Sequence, residues 1–130
     1  MDKIRIFDLR NRVLAFDLRD VLRVLAPRSF AAKWTIKAPD TWSFEATGAG
    51  GERLEELAEM LAQIDGSELA AIADATVQVI WGDFVGALSD DSTQPWLIIR
   101  AVDSSFFEIE TSDESALATI KSAFKDVRIA

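Results

Sequence analysis

The chain has 130 residues, of which 49% are hydrophobic and 28% charged, enough to close one hydrophobic core and too little for a second independent domain. That mixture excludes a disordered, collagen-like or low-complexity chain. Cysteine and histidine are both absent, which removes disulfides, thiolate nucleophiles, the usual zinc sites and every imidazole base.

The formal net charge of −8 repels a phosphate backbone on average, so nucleic acid is not an expected partner. No apolar run approaches the roughly 18 residues a membrane span requires, and the charges within MDKIRIFDLR are unlike a signal peptide. A cytoplasmic protein with no membrane partner is the expectation. The charge is unevenly spread. Residues 1–39 hold nine basic side chains against four acidic ones, whereas 40–130 hold the other five bases and 18 acids. Three arrangements fit this split: the basic segment packs on its own acidic body, pairs with the body of another copy, or meets a separate partner.

In chain order, residues 3–8 fit either a strand or the first turns of a helix. The imperfect repeat FDLRNRVL at 7–14 and FDLRDVLRVL at 16–25 is offset by nine residues, two and a half helical turns, and so makes no single stripe. Leu14, Leu18, Val21, Leu22 and Leu25 do make one, which predicts a helix over 10–26 ended by Pro27. Phe30, Ala32, Trp34 and Ile36 alternate with polar or small neighbours, and Trp42, Phe44 and Ala46 alternate likewise after the turn residues Ala38-Pro39-Asp40. This predicts an antiparallel hairpin over 30–47 with Trp34 and Trp42 on its inner face.

GAGG at 48–51 reads as a break before an acidic amphipathic helix. In that helix Leu54, Leu57, Ala58, Leu61 and Ile64 share a face, and Glu52, Glu55, Glu56 and Glu59 occupy the rest. A phosphate-binding reading of the glycines is weak, because the residue after Gly51 is Glu52 rather than lysine. A short helix capped by Ser67 follows, then a strand over 75–81 that resumes at Phe84 after a bend at Gly82. Trp96–Val102 is apolar on both faces except for Arg100, as a central strand covered on both sides would be. Asp103-Ser104-Ser105 makes a tight reversal into Phe106–Thr111, a last helix begins at Ser112 or Asp113, and DVRIA adds a short terminal strand. The whole is expected to be one α+β domain over 1–130, a mainly antiparallel sheet of about five strands built from hairpins with helices packed on it.

Candidate chemistry is sparse. Asp103-Ser104-Ser105 places hydroxyls beside a carboxylate, but its composition is that of a turn and no base other than a carboxylate is available to the serines. Asp83, Asp90 and Asp91 offer oxygen ligands without the alternating spacing, central glycine and terminal glutamate of a calcium loop, so neither a metal nor a cofactor is expected. Without imidazole or thiolate, an enzyme has to use carboxylates, lysines, a metal bound by oxygen or a borrowed cofactor, and a carboxylate pair is the leading enzymatic option. Trp81 and Trp96 fall at strand ends beside polar loops, where partial exposure suits a protein-binding hot spot. The expected function is therefore that of a small acidic, non-enzymatic protein-binding domain, immunity- or antitoxin-like in kind, that neutralises a basic partner through Glu52, Glu55, Glu56, Glu59, Trp81, Asp83, Asp90, Asp91 and Trp96. The alternatives are a carboxylate-based enzyme or small-ligand binder, and a homo-oligomer held by its basic N-terminal segment.

Overall fold

A computed structural model describes residues 1–88 and 94–130. In chain order its elements are β1 (Asp2–Ile6), β2 (Leu9–Arg10), β3 (Val13–Leu14), α1 (Leu18–Val24), α2 (Arg28–Ala31), β4 (Lys33–Lys37), β5 (Glu45–Thr47) and α3 (Ala49–Glu59). There follow β6 (Gln63–Asp65), α4 (Gly66–Asp74), β7 (Gln78–Ala87), β8 (Leu97–Val102), β9 (Phe106–Thr111), α5 (Glu114–Ala123) and β10 (Val127–Ile129). Among the described residues the fold is α+β, with five helices, an eight-stranded sheet ordered β10-β1-β9-β8-β7-β4-β6 with β5 also on β7, and a separate β2-β3 ribbon. Every pairing is antiparallel. The sheet is larger than the five strands expected because three-residue strands such as β5, β6 and β10 are too short to display a period.

One face of the sheet is the core. In register across the strands lie Ile6, Phe107, Ala101 and Gly82, then Ile4, Ile109, Ile99, Phe84 and Ile36. These rows pack with Leu18, Val21 and Leu22 of α1, Leu54 and Leu57 of α3, Leu69 of α4 and Ile120 of α5 in a single buried cluster. Each fully buried aliphatic or aromatic side chain contributes about 1.5–3 kcal/mol of transfer free energy, so this face holds the fold together. The other face alternates outward, with Arg5, Glu108, Arg100 and Asp83 in one row.

Several sequence expectations change. Residues 3–8 resolve into a strand, β1. The helix over 10–26 is instead a ribbon, β2-β3, turning through Asn11 and Arg12 in left-handed conformation (φ 52 and 70°), followed by the shorter α1. Asp17 starts that helix: its side chain accepts from the Leu18 backbone N–H, and the Asp17 backbone N–H donates to the Asp20 carboxylate at 2.9 Å.

The 30–47 hairpin does not form. Phe30 belongs to α2, while β4 and β5 both pair with β7, one after the other along the same edge, so the 38–44 segment is an insertion between two halves of one interrupted strand. Alternation identifies a strand but not its partner. The acidic helix begins earlier and ends sooner than the stripe implies: Ala49, Gly50 and Gly51 form its first turn, and Leu61 is left-handed (φ 50°) and exposed beyond its end. Gly51 is needed there because a Cβ would lie 2.7 Å from the Ala46 carbonyl carbon. Helix α4 is preceded by Asp65 rather than capped by Ser67. Strand β7 runs unbroken through Gly82, whose missing side chain is the seat of the Phe44 ring. Strand β8 alternates between buried and half-buried residues, so it is covered by helices on one face only.

Candidate functional site

Several of the N-terminal basic residues are spent on the body of the same chain. Arg5 pairs with Glu108 at 3.1 Å, Arg23 with Asp74 at 2.8 Å, Arg28 with Asp113, and Arg19 donates to the Thr76 carbonyl at 2.9 Å. Arg10 and Arg12, on the β2-β3 ribbon, are not spent in this way: like those of Lys3 and Lys37, their side chains have no hydrogen bond or ion pair among the described residues.

On the outer face of the sheet Arg128, Arg5, Glu108, Arg100, Asp83 and Lys37 stand opposite one another in a single cross-strand row. Arg100 donates to Glu108 at 3.0 Å and to Glu110 at 2.7 Å, and its Nε lies 3.8 Å from Asp83. Burial pushes the Asp83 carboxyl up, and Arg100 and Lys37 only partly offset it. Burial opposes charge on Arg100 as well, but its carboxylate partners outweigh that and raise its pKa. Asp83 is 6% exposed and Glu108 8%. Arg5, Glu108, Arg100 and Asp83 of this row, with Glu110 beside them, therefore form an ion network, and Asp83 is a member of it instead of a free carboxylate on an acidic loop.

Trp96 lies in a different place again. Its indole N–H donates to the Asp113 carboxylate at 2.9 Å, Arg28 sits 5.1 Å over its ring, and it meets Trp34 edge-on with centroids 6.1 Å apart. Burial works against the Asp113 charge, but hydrogen bonds from Trp96, Arg28, Ser115 and the Ala116 backbone overcome it and hold the carboxyl well below its ordinary range. Asp113 also caps α5 through Ser115 and Ala116. This cluster fastens a helix start to the sheet. Asp90 and Asp91 lie outside the described residues.

Glu55 and Glu59, by contrast, come together with an aromatic that the sequence places in the core. The 38–44 insertion straddles the sheet edge, sending Phe44 inward against Phe84 (centroids 5.9 Å) and Trp42 outward against Trp81 (5.8 Å). Trp42 is 57% exposed, its indole N–H donating to Glu45 at 2.8 Å. Between this insertion and α3 opens a cleft of about 380 Å³ lined by Ala38, Trp42, Ser43, Phe44, Glu55, Ala58 and Glu59. The Glu55 carboxylate accepts from the Ala46 backbone N–H at 3.3 Å, which fixes its place at the cleft wall. Glu52 and Glu56 are exposed on the same helix outside the lining, Glu56 paired with Arg53 at 3.2 Å, and Trp81 supports Trp42 from behind. Trp42 does not pack with Trp34 as the hairpin implied. The signal for its exposure was Pro39-Asp40, which interrupts the alternation just before it.

The cleft sits in the segment that carries the charge. Residues 40–74 hold nine acids and one base, Arg53, so their net charge equals that of the entire chain, and the remaining residues hold thirteen of each sign.

A further buried carboxylate has a raised pKa. Asp17, 7% exposed, borders a pocket of about 340 Å³ with Val13, Arg19, Asp20 and Val77. Burial raises its pKa to about 6 against the pull of hydrogen bonds from the Leu18 and Val79 backbone N–H groups. Both of its oxygens accept from Val79 N–H at 3.2 Å and one from Leu18 N–H at 2.8 Å, so it works as a joint between α1 and β7. No helix among the described residues is long and apolar enough to cross a membrane. No family model, curated protein or solved structure matches the chain.

Proposed function

We propose that this protein is a non-enzymatic binding module that takes a basic segment of a partner protein into the cleft between α3 and the 38–44 insertion. The observation that carries this reading is the convergence of Trp42, Glu55 and Glu59 on one concavity within the segment that holds the whole net charge. A guanidinium or ammonium group entering there meets an aromatic face, worth about 0.5–2 kcal/mol, and two carboxylates that favour cations over neutral side chains. The surrounding acids Glu45, Glu52, Glu56 and Asp40 add a long-range field that raises the rate of encounter with a positively charged partner. Silencing a basic effector, as an immunity protein or antitoxin does, is one form such a role takes. An enzymatic reading finds less support, because the desolvated carboxylates Asp17 and Asp83 are already engaged, by backbone N–H groups and by Arg100 respectively.

The test is a fluorescence titration with an arginine-rich peptide and a sequence-matched peptide in which glutamine replaces arginine. The basic peptide binds at low salt and weakens as the Debye length shrinks below about 10 Å, the glutamine peptide does not bind, and Trp42→Ala or the pair Glu55→Gln and Glu59→Gln lowers affinity at least tenfold. Equal binding of the two peptides, or full affinity in the Trp42→Ala variant, refutes this reading.

A further inference from the structure

We infer that a second copy of this chain is itself an occupant of the cleft, through the β2-β3 ribbon. The inference rests on the reading of the cleft given above and adds the identity of one partner. The ribbon is a two-stranded hairpin that pairs with no strand of the main sheet. So short a hairpin is marginal in water by itself, yet its base is tied down: the Asp8 carboxylate accepts from the Lys125 and Asp126 backbone N–H groups at 2.6–3.0 Å, and Ala15 N–H donates to the Asp8 carbonyl at 3.0 Å. Its outer end carries Arg10, Arg12 and Val13, the last 62% exposed, and Leu9, 60% exposed, stands at its base across from Leu14.

Those two arginines are left without acidic partners in a chain whose acids outnumber its bases. The ribbon therefore presents two cations and two aliphatic side chains on a backbone already ordered, which reduces the ordering cost of binding. The cleft offers the complementary set, Glu55 and Glu59 beside Trp42, Phe44 and Ala58. The pockets bordered by the ribbon are lined from β7, α1 and residues 125–126, and share no residue with the cleft. Donor and acceptor surfaces are thus distinct, and pairing them between copies gives either a reciprocal two-fold dimer or a head-to-tail chain.

Sedimentation velocity over a range of protein concentrations, at low salt and at roughly 0.5 M salt where the Debye length is only a few ångströms, reads this directly. The native chain associates at low salt and dissociates at high salt. The variants Arg10→Glu/Arg12→Glu and Glu55→Lys/Glu59→Lys are each monomeric, and their equimolar mixture associates again, because each restores the charge its partner lacks. A native chain that stays monomeric throughout, a ribbon variant that associates as before, or a mixture that stays monomeric each overturns the inference. A monomeric chain that still binds the arginine-rich peptide through Trp42 overturns self-association alone, whereas loss of both overturns the reading of the cleft as well.

Discussion

Asp17 joins the first helix to the middle of the sheet while buried enough for its carboxyl to titrate near pH 6. A carboxyl raised in the folded state contributes its stability below the unfolded value near 3.8 and loses it as pH rises through about 6. Its ionisation thus costs the native state on the order of 2–3 kcal/mol at neutral pH. Asp17→Asn retains a capping oxygen and cannot titrate. Urea unfolding should show the native chain losing stability relative to that variant between pH 4 and 6.5, and parallel pH profiles would contradict it. Asp17→Ala removes a cap and orphans the buried Val79 N–H, so it should be destabilised by about 2–4 kcal/mol below pH 4, and the deficit should narrow as pH rises through 6 because the native carboxyl loses its stability there. In the sequence this residue was hidden inside a hydrophobic stripe that runs through it, although Asp17 and Asp20, three apart, are the spacing of a capping box.

At the scale of elements, the cleft exists because α3 approaches β5 closely and because the 38–44 insertion parts β4 from β5. Gly51→Ala forces the helix off Ala46 and should cost about 1–3 kcal/mol, with a matching loss of peptide affinity as Glu55 is displaced; thermal melts and the peptide titration measure the two effects separately. The β8-β9 reversal is a contrasting case. Asp103 and Ser104 are both left-handed (φ 52 and 57°) and Ser105 N–H donates to the Val102 carbonyl at 2.9 Å. Ser105→Ala, which removes only a hydroxyl bonded to the exposed Asp103 carbonyl, should leave the melting temperature within a degree or two. That turn, the β8 and β9 strands, the Asp113 cap and the terminal strand were all legible, because each depends on residues a few positions apart. The position of β5 was not, since its partner β7 lies more than thirty residues onward and nothing local to Glu45–Thr47 names it.

For the whole molecule, the charge split visible in the sequence resolves into two surfaces of different character. The outer sheet face pairs Arg5, Glu108, Arg100 and Asp83 internally, whereas the α3 side leaves its carboxylates facing solvent beside an exposed tryptophan. The acidic helix could be read from its period, but Trp42 could not be assigned to it, because only the crossing of the sheet edge brings them together. The indole N–H groups offer a direct reading of where a basic ligand sits: Trp34 donates to the Ser29 carbonyl, Trp96 to Asp113 and Trp42 to Glu45. The decisive measurement is an amide-and-indole NMR titration of the native chain with the arginine-rich peptide. Saturable shifts of the Trp42 indole and of the Glu55 and Glu59 amides, with the Trp34 and Trp96 indoles unmoved, are the predicted result; shifts centred on Trp96 or on the Arg5–Glu108–Arg100–Asp83 row, with Trp42 unmoved, would contradict it.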